Sequence, residues 1–421
     1  MLNKLKPKSD FTRNVLTLMT GTTIAQAIPI AISPILTRIY TPEDFGVFAL
    51  YIAIVSLIAI FATGQYENAI MIPSNNEHAY HITLLAIYIN ITMSIILFLT
   101  ILFFNQTIVN LLGHMELNSL LYFAPISVLA IGLINTFNYW FTRQKDFQQL
   151  SYNHIIQSST NATFSISFGL LTFEKLGLII GQILGQSFVA ILFIKRFLTS
   201  KYQYKFNKYK ILYLMKRYRN FPKITLAHGV FSSLSNHLPT IILTTAYSTA
   251  TAGFYFLAFR VVALPLNIIS TSFYRVFFQE FSKTSMKEHM YKNRFLQINL
   301  VLIPLFTALW FILPSIFSFI FGSLWEEAGI YTQILLPLLY MKFISNLFTS
   351  TVYIYYERQM ENFLFSLLIT LLIFVSLTIG AFLDNIILGL ILMSVSNSLV
   401  ILVKLYRAYT FTKEATSVKH I

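Results

Sequence analysis

Charged residues in this chain are repeatedly separated by uncharged runs long enough to cross a lipid bilayer as a helix. A spanning helix needs about 20 predominantly apolar residues. Ten uncharged runs of at least 19 residues occur, at 14–37, 45–66, 78–115, 117–142, 147–173, 176–194, 224–259, 295–325, 362–383 and 385–403. Only 11% of the 421 residues are charged, whereas soluble globular chains carry about a quarter. Lipid is therefore the solvent for much of this molecule.

The run at 224–259 divides into one span and the start of another, because polar turn residues interrupt it at 247–253. A further span at 328–356 is interrupted only by Lys342. We therefore predict an all-α integral membrane protein with about twelve transmembrane helices. We place them near 14–36, 46–70, 82–104, 118–141, 151–172, 176–194, 224–246, 254–275, 295–320, 330–353, 363–383 and 386–404.

The distribution of basic residues predicts the orientation of these spans. With the N-terminus inside, 26 of the 30 Lys and Arg residues fall in cytoplasmic segments and two fall outside. This asymmetry is the positive-inside pattern and predicts that both termini are cytoplasmic. It also accounts for the net charge of +14 through contacts with anionic lipid heads, so a nucleic-acid partner is not expected. The chain has no Cys and no phosphate-binding loop of the Gly-x4-Gly-Lys type. We expect no metal, no cofactor and no enzymatic activity.

The chain also carries a weak internal repeat. A shift of 207 residues aligns Leu36, Thr37, Tyr40, Gly46 and Leu50 with Leu243, Thr244, Tyr247, Gly253 and Leu257. We predict two six-helix lobes related by a pseudo-two-fold axis along the membrane normal, with the site between them. The predicted divisions are an N-terminal lobe (1–194), a basic cytoplasmic linker (195–223), a C-terminal lobe (224–404) and a cytoplasmic tail (405–421).

Three glycines at 177, 181 and 185 lie on one face of the sixth predicted helix. Small residues at this spacing let two helix backbones approach closely. We expect this face to pack against a neighbouring helix.

A segment near the N-terminus carries a family resemblance. It reads Ile35-Leu-Thr-Arg-Ile-Tyr-Thr-Pro-Glu-Asp-Phe-Gly-Val-Phe-Ala-Leu-Tyr51 and continues in Ala62-Thr-Gly-Gln-Tyr-Glu-Asn-Ala-Ile-Met-Ile-Pro73. The segment resembles the N-terminal signature of Wzx-type flippases, which belong with the multidrug MATE transporters and lipid II flippases. The resemblance implies a MATE-like fold in the bacterial inner membrane. It also implies translocation of an undecaprenyl-pyrophosphate-linked oligosaccharide, such as an O-antigen repeat unit, to the periplasmic leaflet. Transport would proceed by alternating access driven by an ion gradient.

The resemblance also implies the partners of the chain. They are the lipid-linked oligosaccharide, membrane lipids and other polysaccharide-assembly proteins, and we expect the chain itself to be a monomer.

Cations inside the spans are the first candidate site residues, because a charge within a bilayer is costly. Arg260 and Lys342 could bind a pyrophosphate, Arg through its planar fork and Lys as a point charge. The alternatives are snorkelling to an interface or pairing with a carbonyl or acidic group. Arg38 closes the first helix on the outer side. It could bind the departing head group, or it could pair with Glu43 or Asp44.

The second group of candidates concerns gating or ion coupling. Glu67 lies in a polar step near the inner end of the second helix, and the 207-residue shift maps it beside Arg275. Glu67 could carry protons or close an inner gate with Arg275, or it could be a solvated charge at a helix end. His228 and His237 titrate near neutral pH and could couple protons, although a satisfied structural histidine explains each of them as well.

Two other classes of protein remain as alternatives. A MATE-type exporter of small cations would bury acidic groups within its spans, whereas the deep charges here are positive. A membrane-embedded polysaccharide polymerase or glycosyltransferase usually has a large periplasmic loop. The longest predicted outer loop is only about 105–117, which argues against catalysis.

Overall fold

The computed structural model describes residues 10–200, 204–283 and 287–417, apart from the side chains of 10–16, 112, 224, 271–272, 275–276, 279, 282–283 and 414–417. Within these ranges the chain is helical and has no strand. The helices are α1 (Asp10–Ile39), α2 (Pro42–Ala59), α3 (Asn76–Leu112), α4 (Ala124–Arg143), α5 (Phe147–Leu170), α6 (Lys175–Leu198), α7 (Lys208–Arg217), α8 (Leu226–Ala246), α9 (Thr249–Lys283), α10 (Lys287–Phe321), α11 (Glu326–Tyr355), α12 (Gln359–Phe382) and α13 (Ile386–Ser417).

Twelve of these described helices have 18 residues or more and coincide with the twelve predicted spans. Ten contain segments long and apolar enough to cross a membrane. The other two, α5 and α8, have the right length but are more polar, since amide, hydroxyl and imidazole side chains interrupt their apolar faces. These two helices depend on neighbouring helices to satisfy their polar groups, which is how polar residues are tolerated in lipid.

The internal repeat is visible in the helix boundaries. Helix α1 ends at Ile39 and α2 begins at Pro42, while α8 ends at Ala246 and α9 begins at Thr249. Both boundaries are related by the same 207-residue shift. The caps also correspond, because the Thr41 hydroxyl accepts from the Asp44 N–H (3.2 Å) and the Ser248 hydroxyl accepts from the Thr251 N–H (3.1 Å). A hydroxyl at this position satisfies an N–H that the first helical turn leaves unpaired.

The described contacts divide the chain into two compact units, Met1–His237 and Leu238–Ile421, with the boundary inside α8. In the first unit, α5 packs against α1 and α6, while α4 packs against α3 and α6. Its core is aromatic, and Phe137, Trp140, Phe193 and Phe197 are almost completely buried. The predicted symmetry between two six-helix lobes stays a prediction.

The glycine face of α6 packs against α5, as the spacing predicts. A Cβ added at Gly181 would lie 2.8 Å from the backbone nitrogen of Ser165, and one at Gly185 would lie 3.0 Å from the carbonyl oxygen of Gln157. The first distance is shorter than real Cβ contacts, and the second is tighter than most of them. The glycines therefore serve close helix packing.

In the second unit, α11 occupies the centre and contacts α9, α10 and α13, while α12 packs against α13. Buried rings of Phe277, Phe281, Tyr291 and Phe348 join the second half of α9, the start of α10 and the second half of α11. Aromatic pairs of this kind contribute about 0.5–1.5 kcal/mol beyond the area they bury.

Several predicted boundaries are wrong for identifiable reasons. The second span does not continue to residue 70. Helix α2 ends at Ala59, and Gly64 and Gln65 adopt left-handed conformations before a short 3-10 helix at Tyr66–Met71. Helix α3 continues past residue 104 to Leu112, because the amide of Asn105 donates to the Asn118 carbonyl (2.9 Å) and is satisfied there.

The basic segment between the predicted lobes also contains structure that the sequence did not predict. Helix α7 lies within it and packs against the first unit, with Leu214 buried. The Lys210 ammonium contacts the Glu77 carboxylate at 2.5 Å, and the Tyr66 hydroxyl donates to the Met215 carbonyl at 3.0 Å. At the other end of the chain, α13 continues through Ser417, so residues 405–417 extend the last helix.

Candidate anion-binding site

Two packed helices of the second unit carry the predicted intramembrane cations. Helix α9 is set at its start by the Ser248 cap and holds Arg260 eleven residues further on. At 1.5 Å per residue, Arg260 lies about 16 Å along the helix. This is deeper than the sequence indicates, because α9 begins five residues before the predicted start. Lys342 lies about 24 Å along α11 on the same rise per residue.

Lys342 points to the turn of α9 that carries Arg260. Its ammonium lies 5.6 Å from the centre of the Phe259 ring, and Phe259 directly precedes Arg260 in the chain. The Arg260 guanidinium lies 5.6 Å from the centre of the Phe256 ring, one turn earlier on the same helix. Both cations are half-buried and belong to segments that can span a membrane. Lys342 thus contacts the residue that precedes Arg260, on the same turn of α9.

These two cations are not neutralised by the protein. Neither Arg260 nor Lys342 forms a hydrogen bond or ion pair with another residue in the described part of the chain. Each cation–π contact contributes about 0.5–2 kcal/mol. Removing a cation from water costs several kcal/mol, so the rings offset only part of this cost. An anion between the two side chains would offset the rest.

Sequence reasoning found the two cations and missed their aromatic partners. Phe256 and Arg260 are four residues apart, a spacing that places two side chains on the same helix face. That spacing was a readable signal. The contact between Lys342 and Phe259 joins residues on different helices and has no local signal in the sequence.

Arg38 lies in the other unit, so the structure does not group it with Arg260 and Lys342. It occupies the last turn of α1, is exposed, and complements the helix dipole there. Neither Glu43 nor Asp44 pairs with it among the described residues. The Asp44 carboxylate instead accepts from the Thr41 N–H at 3.0 Å and completes the capping of α2.

Glu67 is a buried carboxyl group, only 5% exposed, so it is not a solvated charge at a helix end. It lies in the 3-10 helix that follows α2, outside the segments that can span a membrane. Its carboxylate accepts a short hydrogen bond from the Thr63 hydroxyl. Burial raises the pKa of Glu67, and the bond from Thr63 opposes this rise.

A small polar network surrounds Glu67. The Tyr139 hydroxyl donates to the Asn68 side chain (2.7 Å), and the Asn68 amide donates to Gln65 (3.0 Å). Glu67 is therefore a buried carboxyl group next to half-buried polar side chains.

The other gating candidates are less defined. Arg275 lies within α9, and its side chain is outside the described residues. His228 is exposed and His237 is half-buried, both on α8. Within the described residues, no group of three or more His, Asp or Glu side chains could hold a metal ion. A coupling role for any of these three residues stays a prediction.

Comparison with known proteins defines the class. The fold matches an inward-facing multidrug-resistance MATE transporter of the MOP superfamily, with a TM-score of 0.71 and 14% identity over 94% of this chain and 96% of that one. It also matches the lipid II flippase MurJ in an inward closed conformation, with a TM-score of 0.72 and 14% identity over 96% and 90% of the two chains. The chain is thus a multi-pass membrane protein with a MATE-like fold, as predicted.

The family follows from the sequence. Residues 35–329 match the family described as "Polysaccharide biosynthesis protein". The chain belongs to this family. It is also similar to the succinoglycan biosynthesis transport protein ExoT of Rhizobium meliloti (strain 1021), with 22% identity over 306 residues. That match covers 70% of this chain and 59% of ExoT, so this chain spans about three fifths of the length of that relative.

Proposed function

We propose that this protein moves a lipid-linked oligosaccharide precursor of a surface polysaccharide across the bacterial inner membrane. The precursor is an undecaprenyl-pyrophosphate carrier bearing a repeat unit, such as an O-antigen unit, and it travels from the cytoplasmic to the periplasmic leaflet. Membership of the polysaccharide-biosynthesis family supports the pathway. The related proteins are named as transporters and flippases, which agrees with the prediction that the chain is not an enzyme.

The observation that carries this proposal is a pair of cations, Arg260 on α9 and Lys342 on α11, that form no hydrogen bond or ion pair within the described residues. A pyrophosphate offers several anionic oxygens, which match the planar guanidinium of Arg260 and the point charge of Lys342. The prenyl tail stays in lipid while the head group is sheltered by protein. Arg38, at the outer end of α1, would receive the departing head group.

An ion gradient drives this movement in the proposed mechanism. Glu67 is a suitable proton site, because it is buried, hydrogen-bonded and easier to protonate than an exposed carboxyl group. Arg275 would close an inner gate with Glu67, and His228 and His237 would serve as further proton sites. Alternating access then couples proton movement to exposure of the cargo on either side.

One observation favours the alternative of a MATE-type exporter of small cations. Glu67 is a buried acid, and such an exporter needs one to attract its cargo. However, Glu67 accepts from Thr63 outside the spanning segments, whereas the deep charges are cationic. An anionic cargo therefore fits the described charges better.

The test uses the full chain reconstituted in liposomes with a fluorescent polyprenyl-pyrophosphate oligosaccharide in the inner leaflet. Transfer to the outer leaflet is followed by quenching with an impermeant reductant. Arg260→Gln and Lys342→Gln are each expected to lower the initial rate by about tenfold, which corresponds to one lost charge-assisted contact. The matched control is Lys175→Gln, which removes a cation of the first unit whose ammonium pairs with the Glu116 carboxylate at 3.3 Å.

Wild-type rates in both site variants would overturn the proposal. The proposal would also be overturned if the protein transported a small organic cation but not the labelled lipid, and if Glu67→Gln abolished transport of that cation.

A further inference from the structure

A second group of cations lies at one end of the second unit, apart from Arg260 and Lys342. Three helix termini meet there, the end of α11, the start of α12 and the end of α13. The Tyr353 and Phe411 ring centres are 5.8 Å apart, and those of Tyr356 and Phe411 are 6.4 Å apart. We call this group, together with the cations that contact these rings, the inner aromatic cluster.

Three cations contact the rings of the inner aromatic cluster. The Lys404 ammonium lies 5.7 Å from the centre of the Tyr353 ring. The guanidinium carbons of Arg358 and Arg407 lie 5.3 Å and 5.0 Å from the centre of the Phe411 ring. Lys404 is half-buried and forms no hydrogen bond or ion pair within the described residues.

The acidic groups nearby do not neutralise all of this charge. Glu361 pairs with Arg407, with 3.0 Å between Oε1 and Nε. Glu357, next to Arg358 in the chain, is exposed. Glu288, at the start of α10, accepts a hydrogen bond from the Tyr409 hydroxyl at 2.7 Å. No carboxylate in the described part of the chain reaches Lys404.

Two tyrosine hydroxyls of the inner aromatic cluster are left without partners. Tyr353 is 1% exposed, and its hydroxyl has no hydrogen bond within the described structure. The Tyr356 hydroxyl is buried and unpartnered in the same way. Leaving a buried polar group unsatisfied costs about 1–3 kcal/mol. Both hydroxyls are donors that lack an acceptor, and Lys404, over the Tyr353 ring, lacks a counter-ion within the described residues, so the oxygens of an anionic group would serve all of them.

The exposed face of α13 indicates what kind of molecule would carry such an anion. Leu399, Leu402, Val403 and Tyr406 are each at least 50% exposed, and this helix has the length and composition of a membrane span. The apolar surface therefore begins within one turn of Lys404 and Arg407. A ligand with an anionic head and long apolar chains matches this order of groups.

We propose that the inner aromatic cluster binds the phosphodiester head group of an anionic membrane lipid. Lys404 supplies the charge, the Tyr353 and Tyr356 hydroxyls donate to phosphate oxygens, and the acyl chains lie along the outer face of α13. The site is separate from the transport pathway proposed above and does not depend on the identity of the cargo.

The test measures lipid retention and thermal stability of the purified full-length protein in detergent. Phosphatidylglycerol is the probe, and phosphatidylcholine and inorganic pyrophosphate are the comparison ligands. Tyr353→Phe keeps the ring and its cation contact but removes the hydroxyl, and Lys404→Gln removes the charge. The matched control is Arg196→Gln in the first unit, where the arginine contacts Asp146 at 3.5 Å.

We expect phosphatidylglycerol to remain bound in native mass spectra of the wild type and to raise its melting temperature, whereas phosphatidylcholine does neither. Tyr353→Phe and Lys404→Gln are each expected to weaken retention by about tenfold, as for the loss of one charge-assisted hydrogen bond. Tyr353→Phe should melt no lower than the wild type without lipid, which separates lost binding from misfolding.

Three results would overturn the proposal. Retention unchanged in both variants would show that lipid binds elsewhere. An equal loss of retained phosphatidylglycerol in Arg196→Gln would show that retention depends only on the net charge of the protein. Stabilisation by pyrophosphate equal to that by phosphatidylglycerol, and lost in the same variants, would assign the cluster to a free or cargo phosphate instead of a membrane lipid.

Discussion

The ammonium of Lys342 on α11 lies 5.6 Å from the centre of the Phe259 ring on α9. Phe259 directly precedes Arg260 in the chain. This contact holds the Lys342 ammonium against α9, because Lys342 forms no hydrogen bond or ion pair within the described residues. It brings Lys342 to the turn of α9 that carries Arg260, within the second unit.

The first prediction separates positioning from charge. Phe259→Leu removes the ring face under Lys342 and keeps an apolar side chain, so the ammonium loses about 0.5–2 kcal/mol of attraction. We expect the transport rate to fall several-fold, with Phe259→Tyr close to the wild type. Liposome transport measures both rates. Equal losses in the Leu and Tyr variants would contradict a positioning role for the ring face.

The second prediction concerns stability. A half-buried cation that lacks an anion destabilises the unloaded protein, so Lys342→Met is expected to raise the melting temperature by a few degrees while the transport rate falls, as in Lys342→Gln. Scanning fluorimetry in detergent measures the shift. The control is Lys175→Met, which breaks a surface pair with Glu116 and should change stability little. A lower melting temperature for Lys342→Met would mean that the cation is structurally paired.

The third prediction follows from the raised pKa of Glu67. Above the ordinary pKa of a carboxyl group the unfolded chain releases this proton, while the folded chain still holds it. Folding stability therefore falls as pH rises from that ordinary value to the folded-state pKa. The side chains facing Glu67 are Thr63 and Tyr139, and the shift is opposed by the Thr63 hydroxyl and by a backbone hydrogen bond to the carboxylate.

Glu67→Gln mimics the protonated form and should remove this pH dependence. We expect the melting temperatures of the two proteins to diverge between pH 4 and 8. The melting temperature of Glu67→Gln should rise relative to that of the wild type as pH rises. Glu116→Gln, at an exposed carboxylate, controls for general charge effects. Parallel curves for the wild type and Glu67→Gln would mean that folding does not shift the pKa of Glu67.

The fourth prediction tests the packing of α6 on α5. Gly181→Leu places a side chain where even a Cβ lies 2.8 Å from the Ser165 backbone nitrogen. Overpacking of this kind costs about 1–3 kcal/mol or more, so we expect a lower melting temperature and reduced yield. Phe188→Leu changes an exposed position of the same helix and should have little effect. Wild-type stability in Gly181→Leu would mean that the two helices do not pack as described.

The sequence predicts the spans well because lipid imposes a minimum apolar length on every crossing. The family was predictable from the signature at 35–73. The positions of Arg260 and Lys342 within helices were predictable because each lies in a predicted span. The 207-residue repeat locates both helix–turn–helix boundaries, since the capping residues Thr41 and Ser248 are local signals.

Other features depend on contacts distant in the chain and could not be predicted. The burial of Glu67 follows from the break after α2, where Gly64 and Gln65 adopt left-handed conformations. Lys404 was counted as a cytoplasmic charge because nothing near it in sequence shows that Tyr353, on another helix, covers it. Both positions are decided by tertiary packing.

The docking of α7 has a practical consequence for engineering. The stretch 195–223 holds ten basic residues and would suggest a natural place to cut the chain or insert a reporter. Yet Leu214 is buried and Lys210 is held by Glu77, so an insertion between 208 and 217 would displace a packed helix. Split-protein and tagging designs should avoid the chain's apparent midpoint and leave this helix attached to the N-terminal fragment.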